Sequence, residues 1–294
     1  MKYLSLLIIG LFFASCEGEK KQSATSGAIT ILVDESFAPI IEDQYQVFNT
    51  HYPEAKVSLI YKPETPLLNM LLQDSANIAI MSRKLLPAEA KFYESRNLNI
   101  KTYHIATDAI ALITNRASAD TAITVDEIKA IMQGTSSDGK RLVFDNANSS
   151  TVRFLKELAG VKDLPAKGVY ALHNNPDVIR YVHNNQGTIG VIGVNWIKQP
   201  AKDLEPLVQN LKIMSVKNST GLAGSDKFYK PSQNNLALGL YPLSRELYII
   251  NCTGGTIGSG FEGFIVGERG QRIILRSGLL PNKIPSREII IRSK

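Results

Sequence analysis

Short apolar runs alternate along the chain with stretches whose apolar residues recur every three or four positions, the pattern of an α/β protein. Residues 29–33 predict a strand. Phe37, Ile40, Ile41, Tyr45 and Phe48 follow at helical spacing, with Ser36 placed as N-cap and Pro53 beyond the end. Further strands are predicted at 57–61, 77–81 and 100–106, with helices near 66–73 and 87–96 between them. Residues 108–115 (DAIALITN) form another apolar strand, after which a capping box at Thr124 and Glu127 opens a helix that stops at Gly134. A short strand at 142–144 feeds the polar loop 145–150, and a helix from Thr151 ends at Gly160. Pro176 suits the first turn of a helix reaching His183. Strands at 188–194 (TIGVIGV) and 247–251 and a C-terminal helix complete the reading; no repeat or low-complexity segment interrupts it.

The first residues stand apart from this pattern. Met1-Lys2 precedes an apolar run over 3–14, broken only by Ser5 and Gly10, that ends in Ala14-Ser15-Cys16. The run is too short to span a bilayer. It resembles a bacterial lipoprotein signal, which implies removal of residues 1–15 and lipidation of Cys16. The chain would then be anchored in the bacterial cell envelope, periplasmic or surface-exposed. Residues 16–27, rich in Lys, Ser, Gly and Glu, read as a flexible tether. With Cys16 acylated, Cys252 is the one thiol left, and its apolar neighbours predict a buried structural role.

At 294 residues, 44% hydrophobic and 20% charged, the chain suits one or two globular domains. Lys and Arg number 33 against 27 Asp and Glu, with no run of five like charges, which speaks against a nucleic-acid tract and is compatible with a small anionic partner. His51, His104, His173 and His183 are scattered, and no Cys/His cluster has metal-ligand spacing, so neither metal nor cofactor is predicted.

Two loops share one form, a strand end followed by small hydroxyl residues and a helix start: Asp34-Glu35-Ser36-Phe37 and Asn148-Ser149-Ser150-Thr151. A helix N-terminus presents unpaired N–H groups and partial positive charge, so two such ends facing each other make an anion clamp. Taken singly, each hydroxyl caps its own helix. Gly258, Gly260 and Gly263 spell a G-x-G-x-x-G, but too little chain follows for a dinucleotide-binding unit, and a helix-entry loop is the expectation.

Residues 31–40 (ILVDESFAPI), 77–85 (NIAIMSRKL), 108–115, 148–151, 187–191 (GTIGV), 241–250 (YPLSRELYII) and 270–281 (GQRIILRSGLLP) occur in the order and spacing of the phosphate-binding proteins of ABC transporters. The chain is thus similar to type II periplasmic binding proteins. The resemblance implies an α/β fold of two lobes, 28–107 with 248–294 and 108–247, joined by hinge strands near 107–115 and 241–250. Ligand would sit in the cleft, and the hinge would close on it. It further implies a monomer that takes phosphate and docks on an ABC permease complex, with no catalysis. Carried over by position, the first loop falls on Glu35, Ser36 and Phe37, a second on Thr65 without the family's glycines, and the third on Ser149, Ser150 and Thr151. Ser82 stands beside Arg83 in the 77–85 segment. Where the family has a proton-accepting aspartate this chain has Asn77, and where it has an arginine this chain has Phe144-Asp145. Arg83 or Arg153 is then left to supply the cation, and Glu35 to accept a proton.

Three other readings stay open at this point. They are a binding protein for another small oxyanion or polar solute, a sensory lipoprotein of the same fold, and a hydrolase with Ser36 or Ser149 as nucleophile. The last needs a base from elsewhere, since His51 lies roughly 22 Å along the helix from Ser36.

Overall fold

The structure, a computed structural model, describes residues 23–252 and 256–285; the expected signal segment 1–15, the expected lipidation site Cys16 and residues 286–294 lie outside them. Three strand–helix units open the fold: β1 (Gly27–Asp34) and α1 (Ala38–His51), β2 (Ala55–Lys62) and α2 (Glu64–Leu72), β3 (Ile78–Met81) and α3 (Pro87–Glu94). β4 (Lys101–Asn115) follows, then β5 (Ala122–Thr124), α4 (Val125–Met132), β6 (Arg141–Phe144), α5 (Ser150–Ala159), β7 (Val169–Ala171), α6 (Asn175–Asn184) and β8 (Thr188–Gly193). Shorter pieces come next: α7 (Asn195–Lys198), α8 (Glu205–Val208), β9 (Leu211–Ile213), β10 (Ser215–Lys217) and α9 (Gln233–Ala237). β11 (Ser244–Asn251), α10 (Thr256–Val266), α11 (Glu268–Arg276) and β12 (Leu280–Pro281) finish the described chain.

The main sheet runs β2-β1-β3-β11-β4-β8-β6-β7, with β9 and β12 added along β4. β1, β2 and β3 are mutually parallel, as are β6, β7 and β8, whereas β11 and β4 run antiparallel to their neighbours. β4 is the spine. Its first part, Lys101 to Ala109, pairs with β11, and Ile110 to Ile113 pair with β8. The polar Thr107, where the sequence pattern divides this stretch into two strands, continues the ladder opposite Glu246, and its hydroxyl donates to Glu246 Oε2 at 3.1 Å. Helices cover both faces, which is why Ile31 to Val33 and Ala109 to Ile113 are unbroken apolar runs with no exposed surface. Each Ile, Leu and Val among them contributes about 1.5–3 kcal/mol by burial.

The capping box is present: Thr124 Oγ1 accepts from Glu127 N at 3.1 Å, and Glu127 Oε2 accepts from Thr124 N at 2.7 Å. Gly160 ends α5 at φ 68°, a left-handed conformation that glycine adopts without strain. Cys252 is buried and free, and burial pushes its thiol up to about 11.

Two expectations are corrected. Gly258, Gly260 and Gly263 lie inside α10 rather than in a loop before a helix. The smallness of Gly258 and Gly260 serves close packing, since a Cβ at Gly258 would stand 2.3 Å from Ile78 Cδ1 and one at Gly260 1.7 Å from the Ala24 carbonyl oxygen. That second contact also sets the end of the segment expected to be a flexible tether against the fold. Residues 23–26 form a turn against α10, with Ser23 N donating to Ser26 O at 2.9 Å. Among the described residues no helix is long and apolar enough to cross a membrane.

Candidate functional site

β1 ends at Asp34, whose Oδ1 accepts from Ser36 N at 3.0 Å and so shapes a single 3₁₀ turn, Glu35–Phe37. Ser36 therefore does not cap α1. The helix starts at Ala38, with Pro39 in its first turn, and the residue at its cap position, Phe37, makes no side-chain bond. The Ser36 hydroxyl, fully buried, points instead across the fold to Ser150 Oγ at 3.3 Å. The Ser36 carbonyl accepts from Asn195 Nδ2 at 3.0 Å and Trp196 Nε1 at 3.1 Å. Gly193 makes room for this contact, because a Cβ there would lie 3.1 Å from the same carbonyl oxygen.

The second loop also meets the first, though by a different residue than its serine-first pattern suggests. Ser149 is the N-cap of α5, and its Oγ lies 2.8 Å from Thr151 Oγ1. Thr151 donates to Asp145 Oδ1 at 2.8 Å, while Asn175 Nδ2 donates to Asp145 Oδ2 at 3.1 Å. Ser149 and Thr151 are thus turned toward a buried carboxylate of their own loop, and Ser150 is the hydroxyl that faces Ser36.

A cation joins this pair. Arg245, at the start of β11, lies opposite Asp108 in the antiparallel register and donates from Nε to Asp108 Oδ2 at 2.9 Å. Its Nη1 donates to Ser150 Oγ at 2.8 Å, and its guanidinium lies 4.7 Å from the centre of the Phe37 ring. The residue is 5% exposed, and Nη2 has no partner. Arg83 and Arg153, the cations that the sequence reading offers, stand at the cleft mouth and are held by carboxylates. Arg83 binds Glu89 at 2.8 Å and 2.9 Å, and Arg153 binds Glu64 and Glu157.

The mouth is a cleft of about 430 Å³ lined by Glu64, Thr65, Arg83, Asn148, Ser149 and Arg153, among others. Thr65 contributes an exposed side chain and a backbone N–H that donates to Asn148 O at 3.2 Å. Ser82 bridges Arg153 Nη2, at 3.0 Å, and Glu64 Oε2, at 3.2 Å. Asn77 is not in the site. It precedes β3, its carbonyl accepts from Cys252 N at 2.8 Å, and Ser82 lies beyond the other end of that strand, roughly 15 Å away.

Carboxyl groups crowd the floor. Burial pushes Asp34 up to about 6, against the pull of Arg245 and with a further push from Glu64. Burial likewise takes Glu35 up to about 7, and the charges of Asp145 and Asp34 add to the shift while Lys62 opposes it. Asp108 and Asp145 are also raised by burial, against hydrogen bonds from Arg245 and from Ser149 and Thr151. Among the described residues eight buried side-chain atoms lack a partner, and six of them belong here: Asp34 Oδ2, Glu35 Oε1, Asp108 Oδ1, Asn175 Oδ1, Asn195 Oδ1 and Arg245 Nη2. A buried polar atom left without a partner costs about 1–3 kcal/mol, so their concentration makes this floor the candidate site. The hydrogen-bond partners of the Ser36 and Ser149 hydroxyls include no histidine.

The PBP superfamily domain pattern matches residues 18–269. The chain belongs to the PBP superfamily. Among its relatives is the phosphate-binding protein PstS of Pseudomonas aeruginosa, 20% identical over 289 residues that cover 89% of this chain and 85% of that protein. Two solved structures share the fold. One, from Clostridium perfringens, is described as a phosphate ABC transporter substrate-binding protein and carries bound phosphate. It superposes with a TM-score of 0.71 at 20% identity, over 87% of this chain and 100% of that one. The other, an ABC-type phosphate transport receptor from Vibrio cholerae, gives 0.64 at 22% identity over 87% and 100%. The α/β class expected from the sequence is the class of this superfamily. In an open α/β sheet ligands lie beyond the carboxyl ends of the strands, which is where the loops after β1 and β6 meet.

Proposed function

We propose that this PBP-superfamily protein captures phosphate outside the cytoplasm and delivers it to an ABC permease. The observation that carries the proposal is the convergence of Ser36, Ser150 and Arg245, from three distant segments, on one buried place. Two hydroxyls and an unpartnered guanidinium N–H are donors suited to an oxyanion. The relatives named above are phosphate-binding proteins by description, which supports the choice of anion. On this reading residues 28–107 with 248–294 form one lobe and 108–247 the other, β4 and β11 are the hinge, and Cys16 carries the lipid that tethers a monomer to the envelope. The mouth residues Thr65, Ser82, Arg83 and Arg153 flank the entrance.

Calorimetric titration of the purified protein with phosphate tests the proposal. Saturable binding is expected, and a folded sample that gives no heat at millimolar phosphate would remove phosphate from consideration. Ser36→Ala and Ser150→Ala should each weaken binding by about 1–3 kcal/mol, the range for a hydrogen bond to a charged group. Unchanged affinity in both would place the anion elsewhere.

Closure has its own reporter. Trp196 is the chain's single tryptophan and bonds across the seam to the Ser36 carbonyl. Phosphate should shift its emission, with a midpoint matching the calorimetric one; binding heat without any spectral change would argue against closure at this contact.

A further inference from the structure

The cleft mouth has the form of an anion site whose occupant is a side chain of the protein itself. The Glu64 carboxylate, 4% exposed, receives Arg153 Nε on Oε1, Arg153 Nη2 on Oε2 at 3.1 Å and the Ser82 hydroxyl on Oε2 at 3.2 Å. Arg83 Nε stands 3.6 Å from Oε1. Two guanidinium groups and a hydroxyl around one carboxylate are the donor set by which proteins hold carboxylates and phosphoryl groups. Arg153 also sits in the first turn of α5, where the helix dipole disfavours a cation unless an anion lies near.

The surroundings exceed what an internal ion pair needs. Arg83, Arg153, Lys156 and Lys162 line the mouth against Glu64 and Glu157. The volume of about 430 Å³ lies within the range of clefts that take small organic ligands. Ser149 lines the same space, so the mouth reaches the start of α5, one residue from the Ser150 hydroxyl.

We propose that the Arg83–Arg153–Ser82 cluster is a second oxyanion seat, filled by Glu64 in this arrangement, and that the cleft accepts a phosphate bearing a second oxyanion group, phosphoryl or carboxyl. This rests on the phosphate reading of the floor. The first group binds at Ser36, Ser150 and Arg245, and the second displaces Glu64. Glu64 thus acts as a tethered competitor, which screens the arginines when no such ligand is bound.

The test is the ratio of diphosphate to phosphate affinity, measured by calorimetry in metal-free buffer on the full folded chain. Diphosphate should bind at least tenfold tighter than phosphate. Glu64→Gln removes the competing charge and should raise that ratio at least fivefold further, whereas Arg153→Gln should bring it toward one. Arg83→Gln, which leaves the Arg153–Glu157 pair in place, should move it the same way and guards against a folding defect in Arg153→Gln. Phosphate binding with a ratio at or below one in both wild type and Glu64→Gln overturns the second seat and leaves the phosphate reading intact. Failure of both anions to bind a folded sample overturns the phosphate reading and the seat with it.

Discussion

Arg245→Met should abolish phosphate binding up to millimolar concentration and lower stability by about 3–5 kcal/mol, the cost of stranding the other member of a buried ion pair. The stranded member is Asp108, which has no exposed surface; Arg245 Nε is its side-chain partner through Oδ2, and its Oδ1 has none. Two effects are combined in that variant, and a second substitution separates them. Arg245→Met with Asp108→Leu replaces both charges by apolar groups of similar size, so urea unfolding should return to within about 1–2 kcal/mol of wild type. Binding should not return, because the guanidinium that donates to Ser150 is still missing. Retention of phosphate affinity within threefold by the single variant would show that the anion does not rest on this guanidinium.

Arg245 also shows where the sequence stops being informative. The strand β1, the stop of α5 at Gly160 and the capping box at Thr124 are legible because each follows from residues close together in the chain. The ion pair joins residues 137 positions apart, and the pairing follows from the register of β4 against β11, which no local pattern contains. A signal is present all the same. An arginine and an aspartate each stand at the opening of an apolar strand, and a charge that enters a buried strand requires a counter-charge. Asn77 stands apart from the Ser36–Ser150 cluster for a related reason: order along the chain puts it near β3 and does not say at which end of that strand the hydroxyl loops gather. Ser36 has the residue type and position of a helix cap, and only the bond from its own N–H to Asp34 redirects its hydroxyl. The region from α7 to α9 has no periodic pattern to read, since its elements run to five residues at most and rest on long-range strand pairing, with a side-chain cap at Ser232 before α9.

Sulfate should bind this protein at pH 5.5, and between pH 5.5 and pH 8 it should lose at least a hundredfold more affinity than phosphate does. The argument starts from Asp34 and Glu35. Burial raises Asp34 from 3.8 to about 6 and Glu35 from 4.5 to about 7, so the folded protein keeps protons that the unfolded chain has released. For the protein alone, the stabilisation from Asp34 is complete below about 3.8 and is lost as pH rises through about 6. That from Glu35 is complete below about 4.5 and is lost as pH rises through about 7. The same titration acts on the ligand. Below the window the floor holds two neutral carboxyls beside Arg245 and tolerates any small oxyanion. Above it, two more negative charges face the anion, each costing about 3 kcal/mol at 5 Å for an effective dielectric constant near 20. Phosphate can offset the cost at one of the two carboxylates by placing its remaining proton between itself and that group, a proton sulfate does not carry, so the two anions should part by about 3 kcal/mol. Asp34→Asn removes one titrating charge and should retain sulfate binding at pH 8 while narrowing the preference for phosphate. Competition titrations of both anions across this range provide the check. A sulfate affinity that stays level from pH 5.5 to pH 8 in the wild-type protein would mean that neither carboxyl faces the bound anion, and the discrimination would have to come from the geometry of Ser36, Ser150 and Arg245 alone.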